Sequence, residues 1–270
     1  MSNSSDDAKG LFGSESDGEN GNPERPESQI PPADRHVSAE HVSFMEDDHD
    51  IWDPTPALVD EAPAIPGLHF PPVRLSQDYA KTLITSILPY FNGGTVNQVM
   101  LFGSGSFGFP SFIPQLINEL SILLERHLQP STRQLLFPAT SGDQRYPARQ
   151  VILNLYLPGE GISPHIDLLG RFGDGIIVLS LISGIVMDFI PEEGASSSTP
   201  MALWLPTCSI LVLEGEARYQ WKHGIRATKQ DFITSRNEEG SVDGVWVDRR
   251  MRISCTIRWL LPGAEQLGPD

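Results

Sequence analysis

His165 and Asp167 stand two residues apart at the end of the stretch 151–167, VILNLYLPGEGISPHID. An imidazole and a carboxylate are residue types that ligate a transition metal. If the chain is extended there, residues two apart share a face, so both side chains project the same way. A His-X-Asp pair alone is common by chance, and a metal needs a third ligand from elsewhere. His223 supplies the right type: it follows the strand-like run Ala217-Arg218-Tyr219-Gln220-Trp221-Lys222 and precedes Gly224, where the backbone can turn tightly. A lone histidine at a strand end also serves as an ordinary hydrogen-bonding residue, so its type does not decide its role.

Two imidazoles and one carboxylate on one face of a metal leave positions open for a cosubstrate and oxygen, the facial arrangement of non-haem Fe(II) sites. The C-terminal run Arg252-Ile253-Ser254-Cys255-Thr256-Ile257-Arg258 adds a second signal. Strand alternation puts Arg252, Ser254, Thr256 and Arg258 on one face and the three apolar residues on the other. Two guanidinium groups facing inward are costly without an anion to pair with. A dicarboxylate at the metal provides one, and Asn154 and Tyr156, together on one face of the earlier strand, add neutral donors.

The elements that must position these groups are mostly short strands. Runs near 150–157, 176–181, 185–190, 202–205, 209–213, 217–221 and 252–261 alternate or are apolar, with Gly, Pro, Asp or Glu clusters between them. Such a series without intervening helices predicts a sandwich or barrel of antiparallel strands. Ahead of it, Ser76 caps a predicted helix running to about Leu88, and Ile117, Leu120, Leu124 and Leu128 mark a second over 114–128. The glycine-rich stretch 92–110 reads as a flexible covering loop; it lacks the Lys-Ser or Lys-Thr of a phosphate-binding loop.

Of 35 acidic residues, 16 fall within residues 1–61, against three of the 19 basic ones. The acidic balance therefore belongs to that segment, and the remainder is compatible with nucleic-acid binding. Residues 1–60 have too few apolar side chains to offset ordering entropy and are expected to be a disordered acidic tail. Its mixed acidic and aromatic stretch 44–52 could dock a protein partner. Cys208 and Cys255 lie in apolar runs, as buried thiols in a reducing compartment do. With no run of about 18 apolar residues and no apolar leader, the expected setting is cytoplasm or nucleus, away from membrane.

The joined motifs resemble the AlkB family of Fe(II)/2-oxoglutarate dioxygenases: Asn154-X-Tyr156-X-Pro158-Gly159, His165-X-Asp167, Gly215-Glu216-Ala217-Arg218 leading to His223-Gly224-Ile225, and the closing Arg-X-Ser-X-Thr-X-Arg. The resemblance implies a mostly β fold with N-terminal helices, a double-stranded β-helix or jelly roll, as a dioxygenase domain over 67–262 followed by a flexible C-terminus at 263–270. It implies that His165, Asp167 and His223 bind Fe(II), that Asn154, Tyr156 and Arg252 hold the far carboxylate of 2-oxoglutarate, and that Arg258 sits at its metal end. Ser254 stands where the founding bacterial enzymes have Asn, so its carboxylate contact is expected to be shorter or water-mediated. The runs 177–181 and 185–189 look most like the eukaryotic branch that hydroxylates modified wobble uridine in tRNA.

The activity so implied consumes O2 and 2-oxoglutarate, releases succinate and CO2, and oxidises a modified nucleobase, RNA or tRNA foremost, by hydroxylation or oxidative demethylation. Arg145, Arg149, Arg171, Arg218 and Lys222 flank the expected site and could contact phosphates. Phe102, Phe107, Phe109, Tyr146 or Trp221 could stack on a displaced base, although core packing is the ordinary role of such residues. Two alternatives stand beside this reading: an oxygenase acting on a protein or small molecule, and a non-catalytic interaction protein using the acidic tail.

Overall fold

A computed structural model of the chain describes residues 56–59, 61–104, 107–138, 148–236 and 242–264. The elements are β1 (Ala57–Leu58), β2 (Leu68–His69), α1 (Gln77–Ile87), β3 (Gln98–Ser104), α2 (Phe112–Leu123), α3 (Pro130–Leu136), β4 (Ala148–Tyr156), β5 (Ile162–His165), β6 (Ile176–Leu181), β7 (Ile185–Pro191), β8 (Met201–Leu205), β9 (Ile210–Leu213), α4 (Gly215–Tyr219), β10 (Trp221–Ile225), β11 (Gln230–Arg236), β12 (Val242–Asp248) and β13 (Arg252–Trp259).

The strands form two sheets, one ordered β12-β11-β1-β8-β7-β10-β5 and the other β2-β9-β6-β13-β4-β3. Among the described residues the strand pairings are antiparallel except those of β1, which runs parallel to β11 and to β8. This is the layered antiparallel architecture expected from the strand series, and the jelly roll that the family resemblance implies.

Period-two alternation divides the second sheet between two cores. Val151, Leu153 and Leu155 of β4, Ile177, Leu179 and Leu181 of β6, and Ile253, Cys255 and Ile257 of β13 pack with Leu83, Ile87, Leu116 and Leu120 of the helices. The alternate residues Tyr156, Ile176 and Val178 join Met187, Phe189, Leu203 and Trp221 of the first sheet in an inner core. Arg252, Ser254 and Arg258 are buried on that inner side of β13. The helices thus cover one face of this sheet and leave the other for chemistry.

The capped helix forms as its sequence requires: the Tyr79 N–H donates to the Ser76 hydroxyl at 3.2 Å, and Ala80, Leu83 and Ile87 are buried. Elsewhere the structure departs from local pattern. Residues 98–104 of the glycine-rich stretch form β3, whose backbone pairs with β4 from Gln98↔Asn154 to Ser104↔Ala148. The second helix stops at Leu123, and Pro130 opens α3, with proline in the first turn where its missing N–H costs nothing. Residues 215–219 are one turn of helix, and the strand starts only at Trp221. Ala57, fully buried, pairs with Ile233, so the folded part reaches back into the expected tail and begins ahead of residue 67. Residues 1–55 and 265–270 lie outside the described residues. No helix among those described is long and apolar enough to cross a membrane.

Candidate active site

β5 and β10 place the two histidines. His223 is the Cα partner of His165 across the antiparallel ladder, and their ring centroids are 4.6 Å apart. Gly224 makes that approach possible, since a Cβ there would lie 2.9 Å from both Cα and N of Pro164 and 3.0 Å from the Ile162 carbonyl oxygen. Nδ1–H of His165 donates to the Ser163 carbonyl at 2.9 Å, which leaves Nε2 as the lone-pair nitrogen. Burial first, and then the neighbouring His165, push the pKa of His223 down to about 4. His223 is therefore neutral near pH 7, the form in which imidazole ligates a metal.

Asp167 is placed differently from the expectation. β5 ends at His165, so strand alternation does not carry the carboxylate to the site. The Asp167 main-chain carbonyl accepts from Arg218 Nη1 at 3.0 Å, and its Oδ1 is held by Nη1 of Arg258. Its Oδ2 is buried with no partner. As they stand, no three His, Cys, Asp or Glu side chains among the described residues close around a common point. The fold brings His165 and His223 together and keeps Asp167 near enough to act on the protonation of His223.

The two inward arginines are held in different ways. Arg258 donates from Nε and Nη2 to Gln150 Oε1 at 2.8 and 2.6 Å and lies 3.4 Å over the Phe172 ring. Arg252, 1 % exposed, donates from Nε to the Ser180 hydroxyl at 2.9 Å and stands 5.5 Å from the Tyr156 ring centroid. Its Nη1 and Nη2 are buried without partners. Burial lowers the pKa of each guanidinium to about 10, which leaves both charged at neutral pH. Four donor hydrogens on Arg252 thus remain unspent, and such groups are tolerated where an anion completes them. Ser254 lies opposite both Asn154 and Ser180, and the Asn154 side-chain carbonyl accepts from Gln98 Nε2 at 2.8 Å. Orphaned Arg252 nitrogens, an orphaned Asp167 oxygen and the paired imidazoles of His165 and His223 fit a metal with a bound dicarboxylate.

The residues expected to meet phosphate divide. Arg149 is buried, donates to the Leu136 carbonyl at 2.6 Å and stacks 3.5 Å over Trp259. Arg218 is buried on backbone carbonyls. Both guanidinium groups pack within the fold and are withdrawn from solvent. Lys222 is ion-paired with Glu192, Arg171 is half-buried, and Arg145 lies outside the described residues, as does Tyr146. Trp221 is fully buried and donates to Glu216 at 3.0 Å, and Phe109 packs on the helical core, whereas Phe107 is 84 % exposed. Leu168 and Leu169, directly after Asp167, are exposed as well. Gln150 and Ser180 were missed, yet each is a polar residue on the inner parity of an apolar run, which is the signal that could have found them.

The sequence profile of the 2OG-Fe(II) oxygenase superfamily matches residues 108–258, more than half of the chain. The chain belongs to this superfamily. The match encloses every residue from Asn154 to Arg258 described above. An Fe(II)/2-oxoglutarate oxygenase uses Fe(II), 2-oxoglutarate and O2, and the polar groups collected here are of the kinds those three require.

Among 2OG-Fe(II) oxygenase relatives, the chain is similar to the mouse protein named tRNA (carboxymethyluridine(34)-5-O)-methyltransferase ALKBH8, 41% identical over 116 residues, covering 40% of this chain and 17% of that one. An uncharacterized protein of Acanthamoeba polyphaga mimivirus is 33% identical over 154 residues, covering 55% of this chain and 57% of the other. The Arabidopsis thaliana alkylated DNA repair protein ALKBH8 homolog is 35% identical over 141 residues, covering 47% and 38%. The AlkB resemblance carried by the motifs is thus matched by AlkB homologues, and the chain spans less than two thirds of the length of each of these three relatives.

Proposed function

We propose that this oxygenase oxidises a modified nucleobase in RNA, with tRNA foremost, by hydroxylation or oxidative demethylation. His165, Asp167 and His223 would hold Fe(II), and Arg252, assisted by Asn154, Tyr156 and Ser254, would hold the far carboxylate of 2-oxoglutarate. Fe(II), when bound with 2-oxoglutarate and O2, supplies oxidation of a substrate C–H bond with release of succinate and CO2. The observation that carries this reading is the buried guanidinium of Arg252, with two nitrogens lacking partners on the inner side of the sheet that faces the His165–His223 pair.

The chain's own groups bind and orient. Arg258, fixed by Gln150, holds one oxygen of Asp167 and leaves the other for ligation. The neutral imidazole of His223 presents a lone pair without first losing a proton. Burial of Arg252 in a water-poor site strengthens its attraction for a carboxylate relative to the same pair in water. A general base is not needed, and none is assigned. Support for nucleic acid comes from the AlkB homologues, whose names concern tRNA and alkylated DNA. The exposed Phe107, Leu168 and Leu169 could contact the faces of an unstacked base.

The test is to incubate the full chain with Fe(II) and total tRNA, methylated oligonucleotides or histone peptides, with and without 2-oxoglutarate, and to follow nucleoside and peptide masses. Gain of an oxygen or loss of a methyl group in RNA nucleosides, dependent on 2-oxoglutarate, is the expected result. Modification confined to peptides would overturn the nucleic-acid reading.

A further inference from the structure

We propose that Arg218 is a positioning residue of the metal site, tying the loop that bears Asp167 to the chain segment that bears His223. The inference rests on the ligand set proposed above. The ladder that sets His165 opposite His223 ends at His165, so nothing in strand pairing fixes where Asp167 stands. From Asp167 to Phe172 the chain makes a tight turn, with the N–H groups of Arg171 and Phe172 donating to the Leu168 carbonyl at 3.2 and 3.1 Å. One guanidinium spans that turn: Arg218 Nη1 donates to the Asp167 carbonyl at 3.0 Å and Nη2 to the Phe172 carbonyl at 3.3 Å.

Arg218 sits on α4, which leads through Gln220 directly into β10 and His223. The helix is itself fixed, because the Ala217 N–H donates to the Pro66 carbonyl at 2.9 Å. A second tie lies beyond the turn: the Gly215 N–H donates to the Asp174 carboxylate at 3.0 and 3.2 Å. The loop is therefore fastened at both sides to the element that delivers the second imidazole. Arg218 is 2 % exposed, so its charge is out of reach of an external phosphate. Spending a buried guanidinium on two main-chain carbonyls has a high desolvation cost, which a looser loop would not require. A flat fork with fixed nitrogen spacing can hold two carbonyls at once, whereas a lysine ammonium is a single point on a flexible stem.

The test measures Mn(II) binding to the full chain by electron paramagnetic resonance, together with amide hydrogen exchange over 167–172 and thermal melting. Wild type, His223→Ala, Arg218→Gln, Arg218→Lys and Asp174→Asn are compared. Arg218→Gln is expected to weaken Mn(II) binding roughly 10–100-fold, the range seen for groups that orient metal ligands. Faster exchange over 167–172, with β6 and β13 unchanged, should accompany it. Arg218→Lys should restore only part of the affinity. If Arg218→Gln does not fold, Arg218→Lys and Asp174→Asn carry the same readouts. Folded Arg218 variants that bind Mn(II) as tightly as wild type would overturn the positioning role while leaving the ligand set standing. Equal binding by wild type and His223→Ala would instead overturn the ligand set and this inference with it.

Discussion

His223 faces His165 as its direct partner across the β10–β5 ladder, rings 4.6 Å apart, and the ladder shifts register immediately beyond, between His223 and Ile225. Antiparallel pairing brings side chains of directly opposite residues close together, and the ladder resumes past the irregularity with Ile225 opposite Ile162.

Replacing His165, Asp167 or His223 by Ala is expected to abolish 2-oxoglutarate-dependent succinate formation. Loss of a direct ligand should weaken metal binding by more than the roughly 10–100-fold of an orienting group. Succinate assays and Mn(II) titration of each variant check this, and turnover retained in any of the three removes that residue from the set.

The two inward arginines should respond oppositely. Arg252 has two nitrogens without partners, so Arg252→Met should lower 2-oxoglutarate affinity by about 2–5 kcal/mol while the melting temperature without 2-oxoglutarate holds or rises. Arg258 is bound to both Asp167 and Gln150, so Arg258→Met leaves a buried carboxylate uncompensated and should cost about 3–5 kcal/mol of stability. Calorimetry with and without 2-oxoglutarate separates the two cases.

Gly224→Ala tests the strand approach. The new methyl would press on backbone atoms of Pro164 and Ile162 at 2.9 and 3.0 Å, and backbone cannot move aside as a flexible side chain can. Overpacking of this kind costs about 1–3 kcal/mol. At about 2–4 °C per kcal/mol for a domain of this size, the melting temperature should drop by a few to about 12 °C. An unchanged melt would show that β5 is free to retreat.

The pH dependence follows from the lowered pKa of His223, about 4 in the folded chain against the ordinary imidazole value of 6.5. Between those values the unfolded chain binds the proton and the folded chain does not, so stability falls as pH drops from 6.5 towards 4. Above 6.5 this contribution is complete. Melting of the metal-free protein across that window should show the slope, and His223→Gln should lessen it. The same slope in the variant would assign it to other groups.

Strand alternation was legible because it is local. The inner parity of Arg252, Ser254 and Arg258 and the bounds of 176–181 follow from which side chains can share a pleated face, with no distant residue involved. Residues 217–221 misled for the same reason: Ala217, Tyr219 and Trp221 alternate like a strand, yet Arg218 reaches the Asp167 loop and the Ala217 N–H reaches Pro66, and one turn of helix satisfies both. β3 was hidden by the glycines that flank it and by its own Gly103, which is required where a Cβ would lie 2.5 Å from the Phe109 ring. β11 and β12 carry too many polar residues for a hydrophobic pattern, and their backbone pairing shows only in three dimensions.

By itself the sequence determined the kinds of groups at the site, their order along the chain and the sheet faces bearing the arginines, because side-chain chemistry and strand parity are local properties. Tertiary structure alone decided that His165 meets His223, that Asp167 is placed by Arg218 and Arg258 and not by its own strand, and that Arg149 and Arg218 are internal. Each of those outcomes depends on which distant backbone carbonyl or carboxylate lies within hydrogen-bond reach, and proximity between separated segments is set only when both sheets have closed on their cores.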